Sequence, residues 1–158
     1  MSHGSFSVEL IDLAEVGLPF MDEPHHPKLR KYTRSHTFAW SEVVAAADAF
    51  VFVTPEYNHG ISAPLKNAFD YLHHEWAYKP VGFVSYGGVA AGTRAVQMTK
   101  QVVLSLRMLP IYDAVTIPFV ARSLPPDETQ AEAARAMLDE LARVEEATRS
   151  LRSAAGPA

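Results

Sequence analysis

Apolar positions along this chain fall into two kinds of pattern, continuous runs and helical stripes, and they alternate. Ala49-Phe50-Val51-Phe52-Val53 is an unbroken apolar run, the signature of a strand covered on both faces, and Val81-Gly82-Phe83-Val84-Ser85 is a second. Between them Pro64 suits a first helical turn, where its missing N–H is not needed, and Leu65, Phe69 and Leu72 follow at spacings of four and three. An earlier helix is predicted from Ser35 to Asp48 by Phe38, Trp40, Val43, Val44 and Ala47. A later one carries Val96, Val103, Leu104 and Leu106 to about Leu109, where Pro110 is expected to stop it. Ala114 to Val120 reads as a last strand, with Pro118 placing it at an edge or strand end. A long terminal helix follows Asp127 as N-cap, with Ala134, Leu138, Leu141, Val144 and Leu151 on one face. On its polar side Asp139 with Arg143 and Glu145 with Arg149 are acid-before-base pairs four apart. Ser7 to Leu13, part alternating and part continuous, reads as the first strand present, and the proline-containing stretch Gly17 to Pro27 reads as a loop.

Strands alternating with helices predict an α/β protein with a parallel sheet and helices on both faces. A length of 158 residues suits one domain with a substantial core, taken here as residues 1–152 with a flexible tail at 153–158. Composition changes the picture mainly by exclusion. The charge of -4 and pI near 5.9, with no basic block, give no footprint for nucleic acid or anionic membrane. The absence of cysteine removes disulfides, thiolate catalysis and Cys-based metal sites, so any redox chemistry needs a borrowed cofactor. Every apolar run is far short of a membrane span and no secretory h-region opens the chain, so a cytoplasmic location is expected.

Candidate chemistry sits at the ends of the two apolar runs. Thr54-Pro55-Glu56-Tyr57-Asn58-His59-Gly60 and Tyr86-Gly87-Gly88-Val89-Ala90-Ala91-Gly92 would both lie at the carboxyl ends of neighbouring parallel strands, where open α/β sheets hold ligands. Gly87, Gly88 and Gly92 remove side chains where a flat ligand edge could meet backbone N–H groups, and Tyr57 and Tyr86 supply aromatic surfaces. Either loop alone is better explained by a tight strand-to-helix turn. Together they could hold a planar heterocycle. His25-His26 and His73-His74 read as solvated pairs and not as metal ligands, because neither has a ligand spacing. Trp40, Trp76 and Tyr78 read as packing or subunit-contact residues.

Val53 to Gly60, followed by Pro64-Leu65-Lys66-Asn67-Ala68-Phe69-Asp70-Tyr71-Leu72, resembles the signature stretch of the NADPH-dependent FMN reductase family, and Ser85-Tyr86-Gly87-Gly88 with Gly92 and Arg94 is similar to that family's second flavin loop. The resemblance runs from about Val8 to about Val120. It implies a flavodoxin-like three-layer α/β/α fold with FMN and NAD(P)H as cofactors. Pro55, Glu56, Tyr57 and Asn58 would border the isoalloxazine ring, and Tyr86, Gly87 and Gly88 would meet its pyrimidine edge. Hydride would pass from NAD(P)H to the flavin and on to an acceptor such as flavin or quinone, with no catalytic acid or base required of the chain. Arg94 reads as an exposed helix arginine outside the site.

Members of the family begin with a central strand, an FMN phosphate loop and a helix, and Met1 to Ser5 corresponds at most to the tail of that helix. The first strand, the phosphate loop and most of the first helix are therefore expected to be encoded upstream; the alternatives are a partner chain that covers the gap or a rearranged sheet. Without them, the strands at 7–13 and 49–54 would close the gap or leave apolar faces uncovered. A homodimer or homotetramer is expected, with the helix from Pro64 and the loop His73 to Tyr78 as its surface. The alternative is a non-catalytic flavodoxin-like remnant serving as a binding or regulatory domain.

Overall fold

In the computed structural model, which describes residues 4–154, three strands form one parallel sheet in the order β1-β2-β3. They are β1 (Phe50–Pro55), β2 (Pro80–Tyr86) and β3 (Leu109–Ile117). Five helices accompany them: α1 (Leu13–Val16), α2 (Ser35–Ala46), α3 (Ala63–Asp70), α4 (Thr93–Ser105) and α5 (Glu128–Ala154). The α/β architecture expected from the sequence is present, with α5 on one face of β2 and β3 and the other helices against the opposite face.

β2 lies between its neighbours and is almost wholly buried, as a continuous apolar run requires. On the α3 and α4 side the core is aromatic. The Trp76 ring stands 5.2 Å from Phe50, 5.4 Å from Phe69 and 6.0 Å from Trp40, while Trp40 donates its indole N–H to the Ala68 carbonyl at 2.9 Å. Trp40 and Trp76 are thus packing residues of the chain's own core. On the other face Gly82 lets α5 come close, since a Cβ there would lie 3.0 Å from the Met137 sulfur. Asp127 caps α5 as expected: its carboxylate accepts the Gln130 N–H at 2.9 Å, and Gln130 returns the bond to the Asp127 N–H at 3.0 Å. Glu145 pairs with Arg149 as expected, while Arg143 reaches Glu140. The helix runs to Ala154, and the rest of the expected tail lies outside the described residues.

Two expectations are corrected. Residues 7–12 form no strand; Val8 and Leu10 are 82% and 90% exposed, and Asp12 instead caps α1 by accepting the Ala14 N–H at 2.8 Å. A strand needs a ladder partner, and among the described residues this segment has none. Its would-be sheet neighbour β1 is correspondingly an edge, with Val51 and Val53 37% and 63% exposed. The apolar faces are left uncovered and the gap is not closed.

The last strand begins five residues earlier than expected, and α4 ends at Ser105. Arg107 at φ 62 closes α4, with Met108 N–H bonding to the Val103 carbonyl at 3.0 Å and Arg107 N–H to Leu104 at 3.0 Å, the Schellman pattern without glycine. Pro110 then sits inside β3, which an outermost strand tolerates.

Candidate functional site

The sheet register brings the two loops level. Thr54 pairs with Ser85 and Pro55 with Tyr86, so both segments leave the sheet at the same height. After Glu56 the chain folds into a tight hairpin, with Tyr57 N–H bonding to the Gly60 carbonyl at 3.3 Å and Gly60 N–H to Tyr57 at 2.9 Å. Its central residues Asn58 and His59 have φ of 50 and 65, the left-handed pair of a type I′ turn. Asparagine adopts this conformation readily and histidine less so. The hairpin lifts Tyr57 into solvent, where it is 65% exposed.

Across from it the glycine loop is fixed by the protein's own bonds. Ser85 Oγ donates to the Ala91 carbonyl at 2.8 Å, Gly87 N–H to Ile117 at 3.2 Å, and Phe119 and Ala91 N–H both to the Gly88 carbonyl at 3.1 Å. Gly92 is required by its surroundings: φ is +80, and a Cβ would lie 2.9 Å from Ser85 Cβ and from the backbone N and O of Tyr86. Gly88 is different. A Cβ there would meet nothing within 4 Å, so packing places no demand for glycine at this position.

Glu56 joins the two loops. Its carboxylate, on a side chain 9% exposed, accepts the Arg94 backbone N–H at 3.0 Å and the Arg94 guanidinium at 2.8 Å. The carboxylate thereby occupies the N-terminus of α4, where negative charge is favoured. The Arg94 guanidinium and then the N–H groups of Arg94 and Ala95 hold its carboxyl below the usual carboxylate range against the opposing effect of desolvation.

The structure therefore brings together Pro55, Glu56, Tyr57, Asn58, Tyr86, Gly87 and Gly88, with different freedom. The Glu56 side chain is engaged, which leaves its backbone as the part able to face a ligand. Tyr86 rests partly against the α5-side core, so Tyr57 is the freer aromatic surface. Among the described residues the Asn58 amide, the Tyr57 hydroxyl and the Gly88 and Val89 N–H groups have no hydrogen-bond partner. These groups suit the hydrogen-bonding edge and face of a planar heterocycle. Arg94 was outside the expected set and belongs to the arrangement as the partner of Glu56. Its signal was slight: a basic residue in the first turn after a glycine loop.

Comparison with known proteins places the chain in a family. The profile of the NADPH-dependent FMN reductase family matches residues 1–122. An NAD(P)H-dependent FMN reductase of Schizosaccharomyces pombe is 47% identical over 118 residues, covering 72% of this chain and 58% of that protein. A Saccharomyces cerevisiae protein of the same description is 39% identical over 127 residues, covering 76% of this chain and 66% of that protein. The flavoenzyme NAD(P)H:acceptor oxidoreductase FerB of Paracoccus denitrificans superposes with a TM-score of 0.72 at 20% identity, over 92% of this chain and 83% of its own, a likeness of fold. The chain spans about three fifths of the length of the first of these relatives. With its signature loops in register at the sheet's carboxyl edge and a profile match over well more than half its length, the chain belongs to the NADPH-dependent FMN reductase family.

Proposed function

We propose that this chain works as an NAD(P)H-dependent FMN reductase that passes electrons to a small acceptor such as free flavin or a quinone. The observation that carries the reading is the open face above Gly88, opposite a hairpin that the Glu56–Arg94 pair holds in place. A glycine that packing does not require, beside unpartnered N–H groups, fits a ligand edge approaching the backbone. Relatives described as NADPH:quinone oxidoreductases from Oryza sativa and Arabidopsis thaliana favour a quinone among the acceptors.

FMN, when bound, supplies the hydride and electron chemistry. Pro55 to Asn58 would border the ring, with Tyr57 available to stack and the Asn58 amide to hydrogen-bond, while Gly87 and Gly88 leave room for the ring's polar edge. Glu56 takes no proton in this scheme, because its carboxylate is committed to Arg94. Assembly as a homodimer or homotetramer, in the cytoplasm where the nicotinamide donor is met, belongs to the same reading. Leu65 and Phe69 of α3 are buried in the chain's own core, so they are not part of an assembly surface.

An FMN titration followed by quenching of flavin fluorescence, beside a variant with Tyr57→Ala and Asn58→Ala, tests the reading. Saturable quenching that the variant loses, with NADPH oxidation dependent on FMN and quinone, is the expected result. A folded chain that leaves FMN fluorescence unchanged at every concentration sinks it. Light scattering on the same sample reads the assembly, and a strict monomer at micromolar concentration removes that part.

A further inference from the structure

At the far ends of α3 and α4, about 20 Å along α4 from the glycine loop at 1.5 Å per residue, the 3₁₀ turn Pro27–Leu29 closes over a cleft of about 260 Å³. Its rim carries His26, Lys28 and His73, and its floor is made by Phe69, Leu72 and Leu106. The rim is basic well beyond those three groups. His73 and His74 stand edge to face with ring centres 5.0 Å apart, and His74 Nε2 donates to the Lys28 carbonyl at 2.9 Å. Arg107, held in its left-handed turn after α4, is close enough to act electrostatically on His73.

Acidic groups nearby are already taken. Asp70, on the cleft wall, is bridged by Lys66 Nζ at 2.6 Å. Glu75 is buried and accepts from Tyr32 at 2.9 Å, Ser41 at 2.9 Å and the His73 backbone N–H at 3.3 Å. Burial first, and then His74, Lys28, Arg107 and His26, push the His73 imidazole below its ordinary range, as expected where positive groups gather uncompensated. The C-termini of α3 and α4 attract cations, each with roughly half an elementary charge. The two permanent cations, Lys28 and Arg107, exceed the roughly one elementary charge that the two helix ends balance. A metal does not fit, since among the described residues no group of three histidine, aspartate or glutamate side chains is placed to share one.

The geometry points to a binding site for a small organic oxyanion, a carboxylate or phosphate carried on an apolar body, with Lys28 and His73 on the anion and the Phe69–Leu72–Leu106 floor under the apolar part. His26 is prepared to assist. Its Nδ1 accepts the Lys28 N–H at 3.1 Å, which leaves the ring proton on Nε2 as a donor. Binding brings a counter-charge to His73, so its imidazole titrates higher in the complex and affinity rises as pH falls through the histidine range. The site is separate from the flavin loops and stands whether or not those loops bind FMN.

The test is titration of the full chain with phenyl phosphate, followed by the His73 C2 proton in NMR spectra at about pH 6 and about pH 8, with inorganic phosphate as the comparison ligand. Expected are a saturable shift, tighter binding at the lower pH and weaker binding of inorganic phosphate. Lys28→Gln, an exposed position whose change leaves the fold intact, weakens binding roughly tenfold, and Lys100→Gln on the middle of α4 does not. No saturable shift up to about 10 mM ligand, well past a millimolar affinity, overturns the proposal. Equal weakening by Lys100→Gln does so as well, because it reports diffuse charge and no site. Equal affinity for the two ligands overturns the apolar floor's part.

Discussion

The polar, glycine-rich loops at the carboxyl edge of the sheet and the more apolar, strand-like segment on the open flank of β1 end in opposite states. At the edge, every turn of chain is tied by a bond of the protein's own: Ser85 to Ala91, Glu56 to Arg94, Gly87 to Ile117. On the flank, residues 7–12 hold no regular structure, Val8 and Leu10 stand in solvent, and Val51 and Val53 of β1 are exposed. The difference lies in the availability of partners. Loops that find local acceptors become rigid even when polar, whereas an apolar segment without a ladder neighbour stays irregular.

The sharpest way to break this comparison is Gly92→Ala against Leu10→Ser. At Gly92 the new methyl would meet Ser85 Cβ and the Tyr86 backbone at 2.9 Å in a left-handed conformation, neither of which can give way without moving β2. A loss of about 3 kcal/mol or more is expected in the urea midpoint, in the range of severe backbone and packing defects. Leu10→Ser, at an exposed site, should change it by less than about 0.5 kcal/mol. Similar losses at both positions would mean that the flank is ordered in solution.

Next in size is the Glu56 tie. Glu56→Gln keeps the shape but removes the charge that holds Arg94, so the hairpin loosens over the glycine loop; FMN affinity is expected to fall on the order of tenfold with the circular dichroism unchanged. Arg94→Lys should restore little, because a single ammonium does not reproduce the planar fork. The pH dependence is fixed in sign. The folded-state pKa of Glu56 is lowered, so its contribution is complete above the ordinary value of 4.5 and is lost as pH falls through the lower folded value. A flavin site that weakens between neutral pH and pH 5 would break this assignment.

Much of this architecture was legible in the sequence, and the failures have physical causes. β1 and β2 were readable because runs such as Phe50-Val51-Phe52-Val53 admit little else before a turn, and α3 because Pro64 and the Leu65, Phe69 and Leu72 stripe agree. β3 was misplaced because Pro110 looked like a helix stop. The true stop is Arg107 in the left-handed region, a role usually signalled by glycine. Ser7 to Leu13 has strand composition, yet Asp12 and Gly17 already carried the cap signals of α1, and tertiary context decided between them. Of the site, the backbone positions were readable as a pattern. The bond between Glu56 and Arg94, 38 residues apart, was not, because only the level register of β1 and β2 brings the pair together.

A further contrast separates buried from merely fixed charge. Lys79, the residue before β2, donates to the Val44 carbonyl at 2.6 Å and to Ala45 at 3.0 Å, and burial lowers its pKa to about 8. The unfolded chain keeps that proton to about 10.5, so between pH 8 and 10.5 the unfolded state binds more protons and stability rises with pH. Chemical denaturation across that interval should show the rise in the wild type and its absence in Lys79→Met. A wild-type midpoint that falls steadily there, with no difference from Lys79→Met, would mean that the lysine is hydrated.

The smallest expected effect lies at the tip of the ordered edge. His59 holds φ 65 in a turn whose second central position favours glycine, and its exposed ring has no hydrogen-bond partner among the described residues. Left-handed backbone costs a side-chain-bearing residue about 1–2 kcal/mol, and glycine returns part of the gain through its freer unfolded chain. His59→Gly is therefore expected to raise stability by about 0.5–1 kcal/mol. If the ring contacts no substrate, flavin affinity and turnover in the variant both stay level; if it faces the acceptor, turnover with quinone falls while FMN affinity holds. A destabilised variant would contradict the turn geometry itself.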